Sequence, residues 1–166
     1  MKNIEKAYAL LENCNLYTCR NSSVKTTHVS KAETYLDIKF SETYKQFLLS
    51  YGFLYFGYRR IYGIIDDNFI NSEVPDMVWL TEKSRKDFDL PHHIIPISDI
   101  GDGSDYALDL SQMNSEQECP VVVWPAGGYE ETPELEIVAP DFGTWFLSEV
   151  REQISEKEKD DGVIAL

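Results

Sequence analysis

Residues 94–110 read IIPISDIGDGSDYALDL, two largely apolar runs on either side of the short sequence Gly101-Asp102-Gly103. Glycine adopts positive φ angles without steric cost, and apolar runs bounded by such residues are typical of strands. The pattern therefore predicts a β-hairpin with a tight connecting loop.

The predicted hairpin carries four aspartates, Asp99, Asp102, Asp105 and Asp109, and no basic residue. Because side chains alternate between the faces of a strand, Asp105 and Asp109 should share one face while Tyr106 points inward. We expect an acidic ledge on a rigid support. A plainer alternative is that aspartates bond their own backbone in exposed turns. A calcium site is less favoured, because the spacing does not follow the EF-hand pattern.

The composition predicts a single globular domain with an unusual charge. The chain has 166 residues, 43% of them hydrophobic and 13% aromatic, which is enough for one core. We expect the domain to span residues 1–157 and residues 158–166 to form a charged, flexible exit. The 29 acidic residues against 15 basic ones give a net charge of -14. This balance argues against direct binding to nucleic acid or an anionic membrane and favours a basic partner.

The three cysteines, Cys14, Cys19 and Cys119, lack the spacing of a zinc site. The opening sequence has no signal-peptide pattern, and no apolar run is long enough for a membrane helix. We therefore expect a soluble cytosolic protein with reduced thiols, and neither a metal nor a cofactor.

Apolar periodicity predicts the other elements, and together they predict an α+β fold. This fold is a single domain with a mostly antiparallel sheet, helices packed on one side, N-terminal helices and a C-terminal helix. The predicted helices cover about the first dozen residues, Ser30 to Leu36, Ser41 to Gly52, Asp76 to Asp89 and the segment after Asp141; the predicted strands lie within Phe53 to Ile65, at Val121 to Val123 and at Leu135 to Ala139.

Two of these elements carry specific expectations about burial. Val121 to Val123 is a continuous apolar run, which predicts a central strand covered on both faces. Asp141 can cap the final helix, in which Phe142 and Trp145 begin a buried stripe while Glu149 is expected to stay in water.

Catalytic signals in the sequence are weak. His92 and His93 are adjacent and point in different directions, and no fixed metal-ligand spacing accompanies them. Pairing His28 with Cys119 as a nucleophile requires proximity that sequence cannot show. The basic pair Arg59-Arg60 is expected to bind neighbouring acids. A second acidic cluster, comprising Glu130, Glu131, Glu134 and Glu136, is expected to be a solvated loop.

The order of these motifs resembles the SUKH superfamily, in particular the branch that includes the fungal cell-wall synthesis regulators. The resemblance covers about residues 29 to 150. The segments that carry it are Val29-Ser30, Ser41 to Gly52, Ile95 to Asp99, Gly101 to Gly103, Tyr106 to Leu110, Val121 to Trp124 and Phe142 to Leu147.

The resemblance implies an α+β fold and, for most bacterial members, an immunity role in which the protein binds a cognate toxin, often a nuclease. The acidic composition favours the same partner independently, because a nuclease must present positive charge to phosphates. Sequence leaves open a regulatory scaffold like the fungal relatives, a small hydrolase, and self-association as a homodimer. The expected toxin-binding residues are Asp99, Asp102, Asp105 and Asp109, extended by Asp66 and Asp67, with Tyr58 and Tyr106 as desolvated anchors.

Overall fold

The computed structural model describes residues 1–16, 18–128 and 134–162. Over these residues the chain forms five α-helices, seven β-strands and one short 3-10 helix. None of the described helices is both long and apolar enough to cross a membrane. In chain order the elements are α1 (Asn3–Asn13), β1 (Thr18–Arg20), α2 (Thr26–Leu36), α3 (Glu42–Tyr51), β2 (Leu54–Phe56), β3 (Arg59–Ile61), α4 (Met77–Phe88), β4 (Ile94–Asp99), β5 (Asp105–Asp109), the 3-10 helix (Leu110–Gln112), β6 (Val121–Trp124), β7 (Ile137–Ala139) and α5 (Phe142–Asp160).

The strands form two antiparallel sheets, one of β1, β2 and β3 and one of β4, β5, β6 and β7, each in chain order. Strands β3 and β4 lie side by side: Tyr62 N donates to Ile97 O at 2.7 Å, and Ser98 Oγ donates to Arg60 O at 2.6 Å. These antiparallel contacts bring the β2–β3 and β4–β5 turns to the same end of the molecule. The α+β fold with antiparallel sheets, N-terminal helices and a C-terminal helix is confirmed.

An aromatic cluster joins α3 to α5 in the main core. The ring of Phe142 lies 5.0 Å from that of Tyr44 and 5.2 Å from that of Phe47, and Phe146 lies 5.5 Å from Phe47. All four side chains are fully buried. Edge-to-face and offset ring pairs of this kind add to the free energy gained by burying the rings.

Strand β6 is covered on both faces, as its uninterrupted apolar run predicts. Val121 packs in the main core, whereas Val122 packs in a smaller cluster with Leu90, Ile94 and Ala107. The bounds of α3 and α4 also agree with the sequence. Asp141 caps α5 as expected, because its Oδ1 accepts a hydrogen bond of 2.7 Å from Thr144 N.

Helix α2 begins four residues earlier than the sequence predicts, and β1 was not predicted. Ser30 is exposed within the helix and does not cap it. Glu33 is buried instead of capping Ser30: its carboxylate accepts a hydrogen bond from Phe40 N at 3.0 Å and pairs with Lys39 at 2.8 Å. The helix start is held by His28, whose Nδ1 accepts from Lys25 N at 3.0 Å.

Gly63 is the point where three segments cross. Its N–H donates to Pro75 O at 2.9 Å, its carbonyl accepts from Met77 N at 2.6 Å, and a Cβ at this position would overlap the carbonyl oxygen of Gly52. No side chain fits here without moving the backbone.

We therefore expect Gly63→Ala to lower the free energy of unfolding by more than about 3 kcal/mol, because overpacking against backbone cannot relax through a rotamer change. Gly101→Ala is the control. Gly101 has φ +100° and open space around it, so the substitution should cost only backbone strain, about 1–3 kcal/mol. Urea denaturation compares the two variants. A Gly63→Ala protein as stable as Gly101→Ala would contradict the close backbone contact at Gly63.

Candidate functional site

The acidic turn, defined as residues Asp99–Asp105, closes the β4–β5 hairpin and is held by its own polar groups. Asp99 and Asp105 face each other across the two strands. Ile100 N donates to Ser104 O at 3.0 Å, and Asp102 Oδ1 accepts from Ser104 N at 2.8 Å. This last bond lowers the pKa of Asp102, because it stabilises the carboxylate. The exposed Asp102 carboxylate is thereby fixed at the tip of a rigid turn.

The neighbouring β3 strand anchors the first carboxylate of this turn. Arg60 Nη2 lies 2.9 Å from Asp99 Oδ2, and Tyr62 donates its hydroxyl proton to the same oxygen at 3.2 Å. Arg59 Nη1 donates to the Asp99 carbonyl oxygen at 3.0 Å. Arg59 also pairs with the Glu149 carboxylate, so the expectation that Arg59 and Arg60 bind neighbouring acids is confirmed.

Asp105 carries the most perturbed carboxyl group of the turn. Burial, and to a smaller extent the nearby charge of Asp99, raise its pKa to about 6. The group is nevertheless ionised in most molecules at neutral pH. Its charge is held at a cost in free energy, so a cation brought to this point would stabilise it.

We expect Asp105→Asn to stabilise the protein much more at pH 7 than at pH 4, which lies close to the ordinary aspartate pKa of 3.8. Below the ordinary aspartate pKa the carboxyl is protonated in both the folded and the unfolded state. As the pH rises towards 6, the Asp105 carboxyl ionises first in the unfolded chain. The wild-type protein therefore loses stability that the Asp105→Asn variant keeps. The gain at pH 7 should be about 1 kcal/mol for a half-buried group.

Thermal denaturation at both pH values measures this difference. Asp102→Asn is the matched control and should destabilise the protein at pH 7. The lowered pKa of Asp102 means that its carboxylate stabilises the fold above the ordinary aspartate pKa, and this stability is lost in acid. If Asp105→Asn stabilised the protein equally at pH 4 and pH 7, the raised pKa of Asp105 would be contradicted.

Arg59 connects the acidic turn to α5. Its side chain is 15% exposed, its Nε lies 2.5 Å from Glu149 Oε2, and its guanidinium lies 5.3 Å from the centre of the Tyr106 ring. Tyr106 in turn packs 5.3 Å from Trp145. The prediction that Glu149 stays in water is wrong, because the arginine draws this carboxylate under the sheet, where only 5% of the residue is exposed.

Removing one partner of this pair should be costly. We expect Arg59→Met to lower the free energy of unfolding by about 3–5 kcal/mol, because it leaves the Glu149 carboxylate buried without a counter-ion. Adding Glu149→Gln should recover part of that loss. Arg60→Met is the control, because Arg60 is 48% exposed and its pair should contribute less than about 1 kcal/mol. Equal losses of unfolding free energy for Arg59→Met and Arg60→Met in urea denaturation would contradict the different contributions expected of the two ion pairs.

The acidic surface continues from the turn across Tyr106. Burial raises the pKa of the Tyr106 hydroxyl, and the charges of Glu149, Glu152 and Glu136 raise it further. Glu136 and Glu152 are both exposed, and sequence reasoning did not place them at the site. Glu136 was visible only as part of the second acidic cluster, of which Glu130 and Glu131 lie outside the described residues.

Tyr58 lies in the β2–β3 turn, at the same end of the molecule as the acidic turn. It is 82% exposed, and its backbone N–H donates to Gln153 Oε1 at 2.7 Å. Its hydroxyl donates to Asp160 at 3.3 Å, beside a groove of about 380 Å³ between this turn and the end of α5. The structure therefore brings Tyr58, Asp99, Asp102, Asp105 and Tyr106 to one end of the molecule.

Asp109 does not join this group. It pairs with Ile94 at the opposite end of the hairpin, about 13 Å from Asp105 at the rise of a β-strand. It is only 5% exposed, and its carboxylate accepts hydrogen bonds from Ser111 and Gln112 at the start of the 3-10 helix. The prediction that all four aspartates form one acidic ledge is wrong at Asp109, because this side chain is buried and caps the 3-10 helix.

Asp66 and Asp67 lie on a separate loop. The carboxylate of Asp66 accepts from Asn68 N at 2.7 Å, and Asp67 pairs with Lys31 on α2. Neither interaction connects them to the acidic turn. Their carboxylates are committed to the local loop and to α2.

The histidines and cysteines do not assemble a reactive site in the described part of the chain. His92 and His93 border a groove of about 310 Å³, whereas His28 caps α2. Burial raises the pKa of the Cys119 thiol to about 12, so it is protonated at neutral pH. Across residues 1–16, 18–128 and 134–162, no group of three or more His, Cys, Asp or Glu side chains is arranged to hold a metal ion.

Comparison with known families assigns the chain to a family. A sequence model of the SUKH type, described as SMI1-KNR4 cell-wall, matches residues 5–151. The chain belongs to the SUKH family. The match begins within α1, so the expected start near residue 29 was too late. Family members are immunity and regulatory proteins, which sets the range of functions considered for this SUKH protein.

A solved structure shows the same fold. It is described as the crystal structure of a protein from Pseudomonas syringae pv. tomato, 20% identical in sequence, with a TM-score of 0.54. The likeness covers 78% of this chain and 89% of that one. No curated protein matches the chain.

Proposed function

We propose that this SUKH protein is a cytoplasmic immunity protein that neutralises a cognate toxin by direct binding and performs no chemistry of its own. The observation that carries the proposal is the acidic turn, in which the half-buried Asp105 faces Asp99 beside the exposed, fixed Asp102. Family membership supports it, because SUKH proteins include immunity proteins. We also propose that the chain is similar to the bacillar immunity protein YobK.

The partner that fits this surface is a basic protein domain, and a nuclease toxin is the most natural one. A nuclease must present positive charge to the phosphates of its substrate. An inhibitor with a net charge of -14 meets that surface with complementary potential. Electrostatic steering can raise association rates to about 10⁸–10⁹ M⁻¹s⁻¹ at low salt, which suits a protein that must capture a toxin before it acts.

We assign the contact surface to Asp99, Asp102 and Asp105, with Tyr58 and Tyr106 as its aromatic anchors. Tyrosine combines a large contact area with a polar tip, and such residues provide much of the affinity at protein interfaces. Exposed carboxylates at the rim contribute mainly to association rate and salt dependence. Glu136 and Glu152 extend the same surface, whereas Asp109 belongs to the far end of the hairpin.

The direct test looks for a toxin domain encoded beside this gene and expresses it in cells. Cells that express this domain should survive only when the SUKH protein is also present, and the two proteins should purify as a stable complex. If the cells did not survive and no complex formed, the immunity proposal would be contradicted and a regulatory function would be favoured.

We expect the double variant Asp102→Asn/Asp105→Asn to bind the toxin at least tenfold more weakly at low salt and with a smaller salt dependence, because two rim charges are lost. The matched control is Asp66→Asn/Asp67→Asn, which removes the same charge from a different loop. Titration calorimetry at two salt concentrations gives both affinities. Equal weakening by the two double variants would indicate a non-specific effect of net charge and reject the acidic turn as the site.

A second candidate is a regulatory scaffold, and the matched family's description, SMI1-KNR4 cell-wall, is the observation that favours it. A scaffold would share the fold and the acidic surface. The genomic setting separates the two functions: a neighbouring secreted toxin favours immunity, whereas a position among cell-wall or signalling genes favours the scaffold.

A further inference from the structure

A groove of about 360 Å³ lies between the end of α2 and the outer face of α4, and half of its lining residues are apolar or aromatic. Tyr35, Phe69, Ile70 and Trp79 line it. Tyr35 is 41% exposed and Ile70 is 72% exposed, although both are large apolar side chains. Exposed apolar side chains gathered at one place mark interaction sites more often than isolated ones do.

The charges around this groove cancel. On α4, Lys83 pairs with Asp87 at 2.7 Å and Lys86 pairs with Glu82 at 3.1 Å. On the α2 side, Lys31 pairs with Asp67. Among the residues that line the groove, two basic side chains therefore balance two acidic ones, in a chain whose net charge is -14.

We propose that a second copy of this chain docks here, so that α4 packs against α4 of its partner around a two-fold axis. Two molecules of charge -14 repel each other least where their local charge is balanced. The balanced signs of Glu82, Lys83, Lys86 and Asp87 suit a symmetric contact, because the same patch meets itself and carboxylates of one copy can lie beside lysines of the other.

The size of the patch sets the strength of this dimer. Helix α4 has 12 residues and is about 18 Å long. A contact of this length lies towards the small end of specific interfaces, so the dimer should form at micromolar and not at nanomolar concentration. The lining residues belong to α2, α4 and the loop before α4, and none of them belongs to the acidic turn. The inference does not depend on the immunity proposal.

Sedimentation velocity of the purified full chain between about 1 and about 500 µM tests the proposal over the range expected for a small interface. The mass should rise with concentration towards twice the 19.1 kDa of one chain. Ile70→Asp places a charge in the groove and should weaken association at least tenfold. Ile137→Asp is the control, because Ile137 is 55% exposed on β7, outside the groove, and its variant should associate like wild type.

Three outcomes would overturn the proposal. The first is a wild-type protein that sediments as a monomer at every concentration. The second is a dimer that Ile70→Asp does not weaken, because association would then use another surface. The third is a monomeric wild type whose toxin binding is lost in Ile70→Asp, because the groove would then belong to a different partner. Circular dichroism of Ile70→Asp confirms that the variant is folded.

Discussion

The partly buried guanidinium of Arg59 is the constraint on which the functional end of this protein depends. It lies beside the Glu149 carboxylate, donates to the Asp99 carbonyl oxygen and covers the ring of Tyr106. One side chain from β3 therefore meets β4, β5 and α5 at a single point. A buried pair of this kind contributes little net stability but fixes which groups can meet, because leaving either partner alone is expensive.

This arrangement explains how a strongly acidic chain can present a rigid acidic surface. Carboxylates repel one another, and a loop that held only aspartates would spread them apart. Arg60 holds Asp99 from one side, and Ser104 fixes Asp102 through a backbone hydrogen bond. The turn thus keeps its carboxylates in place without a ligand, and the entropy that a partner must remove on binding is small.

Sequence reasoning predicted the fold well because its signals are local. Helix caps such as Asp141, the apolar run at Val121 and the glycines of the acidic turn each act within a few residues, and these elements form where the patterns place them. The predictions for Asp109 and Glu149 failed for a common reason. Each carboxylate is buried by partners that chain periodicity does not reveal, a 3-10 helix start for Asp109 and a distant arginine for Glu149.

The same limit applies to the candidate site. The cluster of aspartates was visible in the sequence, but its division into an exposed end and a buried end depends on strand register. Glu152 joins the surface only because α5 lies along the sheet, and no sequence pattern marks that position. Strand pairing and helix packing over long sequence separations therefore decide which acids act together.

Hydrogen–deuterium exchange of this SUKH protein with and without a toxin domain that it neutralises tests the central claim most directly. If the acidic turn is the binding surface, the toxin should slow exchange at residues 57–60 and 99–106 and leave α2 and α4 unchanged. Protection confined to α2 and α4, with unchanged exchange at the acidic turn, would contradict the account.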